Sequence, residues 1–155
     1  SYKNPSHPKY GRYYEWDALG EIQKALPSGW RVPDNLDWKQ LTDYVGDAND
    51  TCIALKSKEF GGTDEYGFSV LPSGFRYRDG SFDDSGNYAD FWSSSEFNRS
   101  SAYFWTFYGD EDYVYDDHNA KNYGFSVRCL RDSHETEEPN DEGHQSPRPR
   151  IRLIK

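Results

Sequence analysis

The chain has 155 residues, of which 27 are acidic and 18 basic, so its formal net charge is −9. This length fits one domain, and the acidic balance argues against electrostatic binding of nucleic acid or of an anionic membrane surface. No stretch approaches the roughly 18 apolar residues of a membrane span. We therefore expect neither a polynucleotide partner nor a membrane span.

The composition changes sharply after Asp132. All the aromatic residues (5 Trp, 13 Tyr and 9 Phe) lie before this point, and Met is absent, so the core must be rich in aromatic side chains. Residues 133–155 hold five of the 27 acidic residues and four of the 18 basic ones, which leaves a net charge of −8 for residues 1–132. We divide the chain into a domain, residues 1–132, and a charged linker and tail, residues 133–155.

Helix signals occur early in the domain. Residues 16–25 could form a short helix that stops at the Pro27-Ser28-Gly29 break. A clearer helix follows Pro33, where Asp34 can cap the first turn and Gly46 can end the helix. Its apolar residues recur at helical spacing, at Trp38, Leu41 and Val45.

From Tyr66 onward, short aromatic runs with period-two alternation predict strands. The runs are Phe68/Val70, Phe75/Tyr77, residues 91–93, Tyr103/Trp105/Phe107, Tyr113/Tyr115 and Phe125/Val127/Cys129. Two helices followed by an antiparallel meander predict an α+β domain. We expect one core shared by helices and sheet, built from Trp30, Trp38, Phe68, Trp92, Phe125 and Val127.

Six motifs carry a resemblance to a known family. They are YGRYY at 10–14, PSGWRVP at 27–33, GTDEYGFS at 62–69, LPSGFR at 71–76, FWSSSE at 91–96 and YGFSVRCLRD at 123–132. In order and spacing they resemble the Fibrobacter succinogenes major paralogous domain, whose members are largely exported or surface-bound bacterial proteins. The family is similar to the C-type-lectin-like and formylglycine-generating-enzyme-like folds. The resemblance therefore implies two helices beside twisted antiparallel sheets with a loop-rich face, and a secreted or cell-surface location.

Two cysteines, Cys52 and Cys129, are too few for a disulfide scaffold and lack the spacing of a zinc site. The family often has a cysteine immediately before its Pro-Ser-Gly-Trp motif, as a plausible partner for the cysteine of the last strand. This chain has Leu26 at that position. A Cys52–Cys129 bridge and two buried thiols are both left open.

The sequence offers little support for catalysis. Formylglycine-generating enzymes use cysteines close together, whereas only Cys129 lies in the strand region here, and it is expected to face the core with Phe125 and Val127. None of the four histidines accompanies a plausible nucleophilic serine. Glu138-Pro139-Asn140 matches a lectin sugar motif in letters only, because it lies beyond the last predicted strand. We expect a protein that is not an enzyme and has no cofactor.

Acidic pairs and triplets raise the question of calcium. The candidates are Asp83-Asp84, Asp110-Glu111-Asp112 and Asp116-Asp117, because hard cations prefer several oxygen ligands on one loop. None of them has the spacing of a known calcium loop. Solvated acidic turns are the alternative, and we predict no metal ligands.

The segment of residues 97–122 interleaves aromatic residues with Asn, Asp, Ser and His, as antibody loops do. Alternation predicts that Tyr103, Trp105 and Phe107 pack inward, while Tyr108, Tyr113 and Tyr115 lie exposed beside acidic residues. The predicted ligand-binding residues are Phe97, Asn98, Tyr108, Asp110, Asp112, Tyr113, Tyr115, Asp117, His118 and Asn119. The segment also resembles the diversified stretch of variable proteins of diversity-generating retroelements.

The sequence thus favours a non-catalytic binding module that recognises a protein or a glycan through residues 97–122. The alternative is a structural or assembly subunit. In residues 133–155, Ile151 and Leu153 alternate with Arg150 and Arg152, which is a short strand pattern. We expect residues 150–155 to dock as an added strand on a sheet edge, either of the same domain or of a second copy in a homo-oligomer.

Overall fold

The structure is a computed structural model that describes residues 6–7, 9–46, 48–83, 86–112 and 114–132. Tyr113, Asp84 and residues 133–155 lie outside the described residues. Three predictions therefore stay untested by the structure. They are the docking of residues 150–155, the interpretation of Glu138-Pro139-Asn140 as a match in letters only, and the start of the tail at residue 133. No helix among the described residues is long and apolar enough to cross a bilayer.

The two predicted helices are confirmed. The first is a 3-10 turn, Trp16–Ala18, that continues into α1, Leu19–Ala25. The second is α2, Asn35–Val45, which begins with a capping box: the Asp37 N–H donates to Asp34 Oδ1 at 2.9 Å, and the Asp34 N–H donates to Asp37 Oδ2 at 2.8 Å. Trp38 and Leu41 form its buried stripe, and Gly46 at φ 118° ends it.

A third helix, α3, spans Ala48–Leu55 and is followed by a 3-10 turn, Lys58–Phe60. The sequence did not predict α3, because its Asn, Asp, Thr and Cys residues have weak helix propensity. Burial of its inner face stabilises it instead, since Cys52 and Leu55 are completely buried.

The main sheet is antiparallel in the order β4-β5-β6, with β4 at Tyr88–Glu96, β5 at Ser101–Tyr108 and β6 at Val114–Ala120. Two short ladders complete the topology. β1 (Ser6–His7) pairs with β2 (Gly11–Arg12), and β3 (Trp30–Arg31) pairs with β7 (Leu130–Arg131). With three described helices and antiparallel sheets, the domain belongs to the predicted α+β class.

Three of the predicted runs do not form regular strands. The runs at 68–70, 75–77 and 125–129 make only isolated bridges, including Lys56 with Val70 and Phe91 with Ser126. Positive φ angles at Ser69 (53°) and Gly74 (60°) turn the first two runs away from any continuous ladder. The last run pairs briefly with several partners, because it crosses between other segments instead of following one of them.

The central sheet separates two hydrophobic cores, where the sequence predicted one. Consecutive residues of β4 point to opposite faces, so Phe91 belongs to the first core and Trp92 to the second. The first core contains Trp38, Phe68 and Phe107 under α2 and α3, whereas Phe125 lies in the second core with Leu19.

Four of the six expected core residues, Trp38, Phe68, Trp92 and Phe125, are buried as predicted. Trp30 and Val127 are only half-buried. Trp30 lies in the short peripheral ladder β3–β7, and Val127 packs on the margin of the second core. The prediction that all six residues are largely buried is therefore met fully by four of them and in part by Trp30 and Val127, which lie at the periphery.

The two thiols are free, so the bridge between Cys52 and Cys129 is not formed. Cys52 is buried, and burial raises its pKa to about 11. Cys129 is half-buried and lines a cavity of about 20 Å³ beside Trp38, on the side of the first core. The expectation that it shares a face with Phe125 was wrong, because the irregular chain after Ser126 crosses from one core to the other.

Candidate functional site

The register of β5 with β6 decides where the predicted binding residues point. Tyr103 lies opposite His118 and Trp105 opposite Asp116, so these four side chains share the sheet face of the first core. Phe104 lies opposite Asp117 and Thr106 opposite Tyr115, on the face of the second core. The predicted residues are therefore distributed over two faces of the sheet.

On the first face, an aromatic cluster forms at the β4–β5 turn. The Phe97 ring stacks on the His118 ring with centroids 3.7 Å apart and planes 5° apart, and the Tyr103 ring meets Phe97 edge-on at 5.4 Å. Phe97 remains 45% exposed. We call Phe97, Tyr103 and His118 the aromatic cluster.

The turn that carries Phe97 is held by Asn98. Its Oδ1 accepts hydrogen bonds from the N–H groups of Ser100 and Ser101, each at 2.9 Å. This side chain closes the turn as an Asx motif, so it orders the loop instead of pointing its amide oxygen at solvent. Lys121 adds a second tie, because its Nζ donates to Glu96 Oε1 at 2.6 Å and to the Arg99 carbonyl at 3.2 Å.

An open groove of about 500 Å³ lies on the same face, between α2 and the edge strand β6. The residues that line it are Asn35, Leu36, Lys39, Thr42, Asp43, Trp105, Val114 and Asp116. Leu36 is 62% exposed, whereas the Trp105 ring is buried and its Nε1–H donates to Asn35 Oδ1 at 3.1 Å. We call this feature the α2–β6 groove. Its residues Trp105 and Asp116 lie two positions along β5 and β6 from Tyr103 and His118 of the aromatic cluster, on the same face.

The remaining tyrosines lie at the opposite end of the sheet. Tyr108, 40% exposed, meets Tyr115 edge-on at 5.8 Å and contacts Tyr88 at 6.1 Å. The prediction of exposure thus holds for Tyr108, while Tyr115 is half-buried. Tyr113, the third tyrosine of that set, lies outside the described residues.

The buried ammonium of Lys56 holds the loop after Tyr108 in place. This lysine is only 2% exposed, and its ammonium donates to the carbonyls of Gly109 at 3.0 Å, Tyr108 at 3.1 Å and Glu111 at 3.3 Å. The Cys52 N–H donates to the Asp112 carbonyl at 3.1 Å. These bonds use backbone oxygens, so the carboxylates of Asp110 and Asp112 remain exposed.

Asp117 and Asn119 make local bonds along the edge of the sheet. Asp117 Oδ1 accepts the His118 N–H at 2.7 Å, and Asn119 Oδ1 accepts the Ala120 N–H at 2.8 Å. Two backbone donors of β6 are thereby satisfied by side chains. Such capping protects an edge strand against pairing with another strand.

A buried carboxyl group lies between the tyrosine end and the second core. Asp90 is 4% exposed and faces Thr106, whose hydroxyl donates to it. Burial raises the pKa of Asp90 to about 7, and the nearby Asp83 carboxylate adds to the rise. Burial also raises the pKa of Tyr108 above its ordinary value.

The described residues contain no group of three or more His, Cys, Asp or Glu side chains that could hold a metal ion. The calcium hypothesis for residues 110–112 and 116–117 therefore gains no support from geometry, and Asp84 of the third candidate pair is outside the described chain.

Two features of this region, the exposed Leu36 and the buried Lys56, were not predicted from the sequence. Leu36 lies off the buried stripe of α2, and an exposed leucine on a helix could have been read as a surface contact. Lys56 gave no such signal, because its three carbonyl partners lie more than fifty positions away in the chain.

The chain matches the family model of the Fibrobacter succinogenes major domain over residues 2–131. No curated protein matches the chain, and no solved structure does. The matched range includes both cores, the α2–β6 groove and the aromatic cluster. The chain therefore belongs to the Fibrobacter succinogenes major domain family.

Proposed function

We propose that the protein is a non-catalytic ligand-binding module of a secreted or cell-surface bacterial protein, with a C-type-lectin-like fold. It recognises its ligand through residues 97–122, and the aromatic cluster with the α2–β6 groove forms the binding surface. The supporting observation is the exposed Phe97 ring, held on an ordered turn next to an open groove. Rigid aromatic anchors beside a groove are typical centres of binding energy.

The composition of this surface favours a protein ligand over a glycan. A sugar stacks on the face of an aromatic ring. One face of Phe97 is already covered by His118 and Tyr103 contacts the ring at right angles, which leaves less ring area for a glycan. The exposed Leu36 and the acidic Asp116 suit an apolar and a basic side chain of a protein.

Two parts of the proposal rest on the resemblance. The surface or secreted location is the usual one in the family, and a role as a variable protein of a diversity-generating retroelement would make residues 97–122 the diversified stretch. A template repeat in the neighbouring DNA would support that role, and its absence would refute it. The alternative function, an assembly subunit, depends on residues 133–155.

Binding can be tested by screening the protein against a phage-displayed peptide library and a synthetic glycan array. For any binder obtained, Phe97→Ala should raise Kd at least tenfold, because it removes the exposed anchor. Phe82→Ala is the matched control, since Phe82 is similarly exposed (49%) but lies outside residues 97–122. It should change Kd less than twofold.

Melting curves of both variants should stay within a few degrees of wild type, which separates lost binding from lost folding. The proposal fails if neither library yields a binder, or if Phe97→Ala and His118→Ala leave Kd unchanged. A binder found only on the glycan array would reject the preference for a protein ligand and keep the surface.

A further inference from the structure

The described chain ends near the first turn of α2, the helix that forms one wall of the α2–β6 groove. Asp132 Oδ1 accepts a hydrogen bond from Arg31 Nε at 2.9 Å, and Arg31 Nη2 donates to Asp37 Oδ1 at 2.6 Å. Asp37 belongs to the first turn of α2, the same turn that supplies Leu36 to the groove. The chain after Asp132 therefore starts one arginine side chain away from the first turn of α2, on the Asp37 side, and would reach the groove by passing around the end of this helix.

The groove combines an apolar wall with acidic groups. Leu36, Trp105 and Val114 supply the apolar surface. Both carboxylate oxygens of Asp43 accept bonds from Lys39 Nζ, at 2.7 and 2.9 Å, whereas Asp116 makes no ion pair with any other described residue. The groove thus suits a ligand with apolar side chains and positive charge.

The chain itself carries a segment of that chemistry. Residues 148–155 read RPRIRLIK, with four basic side chains among three aliphatic ones, Ile151, Leu153 and Ile154. The domain, residues 1–132, has a net charge of −8, so attraction of the basic segment to it is favourable at low salt. Residues 133–148 could span about 50 Å if extended, whereas the 11-residue α2 is only about 16 Å long.

We propose that residues 148–155 bind in the α2–β6 groove of their own domain as an internal ligand. Ile151 and Leu153 would pack on Leu36 and Trp105, and an arginine would pair with Asp116. The contact would be made by the side chains that line the groove, since Leu36, Trp105 and Asp116 all face it. The segment would compete with external ligands for the groove, but the proposal does not require that such a ligand exists.

The test compares NMR spectra of the 155-residue chain with those of its Ile151→Ser/Leu153→Ser variant. The reporter is the indole N–H of Trp105, which lines the groove and bonds to Asn35 Oδ1. We expect signals of Trp105, Leu36 and Val114 to shift in the variant, and raised salt to move the wild-type signals in the same direction. Glu137→Gln/Glu138→Gln, in the same part of the chain, is the control and should leave these signals unchanged.

The expected shifts should be the same at 10 µM and at 500 µM protein, as binding within one chain requires. Shifts that grow with protein concentration would overturn the proposal, because they would place the segment on a second copy. Identical spectra of wild type and the Ile151→Ser/Leu153→Ser variant at these three residues would overturn it as well. A Leu36→Ser variant that abolishes the salt response would support it from the groove side.

Discussion

The buried carboxyl group of Asp90 makes stability depend on pH in an unusual direction. Burial raises its pKa from 3.8 to about 7, so the folded state holds a proton that the unfolded state releases above pH 4. The contribution is complete below the unfolded pKa and is lost as pH rises through the folded pKa. Unlike most carboxyl groups, Asp90 therefore makes the folded protein more stable at acidic pH than at neutral pH.

The magnitude follows from the two pKa values. A difference of about three units corresponds to about 4 kcal/mol at full ionisation. Between pH 5 and pH 8, linkage gives a loss of about 2–3 kcal/mol from this group alone. Asp90→Asn removes the ionisation and keeps an oxygen that can accept the Thr106 hydroxyl proton.

We therefore expect the unfolding free energy of Asp90→Asn, minus that of wild type, to rise by about 2–3 kcal/mol from pH 5 to pH 8. Urea unfolding at several pH values measures this difference, and other carboxylates cancel because both proteins share them. Thr106→Val, which removes the hydroxyl that donates to the carboxylate, should raise the pKa of Asp90 further. A difference that is flat with pH, or that falls, would refute the assignment.

Three further predictions concern the buried Lys56, the close contact at Gly124 and the two thiols. Lys56→Met removes the ammonium from its three carbonyl partners and should destabilise the protein by about 2 kcal/mol and speed amide exchange in residues 109–112, whereas the exposed Lys58→Met should do neither. Gly124→Ala places a Cβ 2.8 Å from Arg76 Nε and should cost about 1–3 kcal/mol by urea unfolding, while Gly20→Ala, in an open helical position, should be neutral or stabilising. A reducing agent should leave the melting temperature unchanged, and two thiols should react with iodoacetamide after unfolding. An equal loss of stability in both variants of either matched pair would contradict the first two expectations. A melting temperature that depends on the reducing agent would contradict the third.

Local signals predicted the helices well where they were strong. The Asp34 cap and the Trp38/Leu41 spacing indicated α2, and the structure has both. Helix α3 lacked such signals, because its stability comes from burying Cys52 and Leu55 in contacts that sequence alone does not specify.

The burial pattern of β4 explains why one core was predicted where the structure has two. Strand β4 buries five consecutive residues, Ala89 to Ser93, so its hydrophobic pattern shows no solvent-facing side. Sequence patterns can assign alternate residues to opposite faces but cannot tell that both faces are covered. The number of cores depends on how α1 and α2 pack, which is a long-range property.

The candidate site was predictable in composition and not in arrangement. Alternation correctly placed Trp105 and Phe107 inside, yet Tyr103, on the same face, is only half-buried because it lies at the end of β5. The pairing of Tyr103 with His118 depends on the register between β5 and β6. Register is set by the turn between the strands, and the sequence of that loop did not define it.

The central claim is that ligands bind on the first face of the sheet, and chemical-shift mapping with the strongest binder from the peptide library or glycan array tests it most directly. We predict that signals of Phe97, Tyr103, His118 and Leu36 shift on titration while those of Tyr108 do not. Shifts confined to Tyr108 and Tyr115, at the other end of the sheet, would contradict the claim.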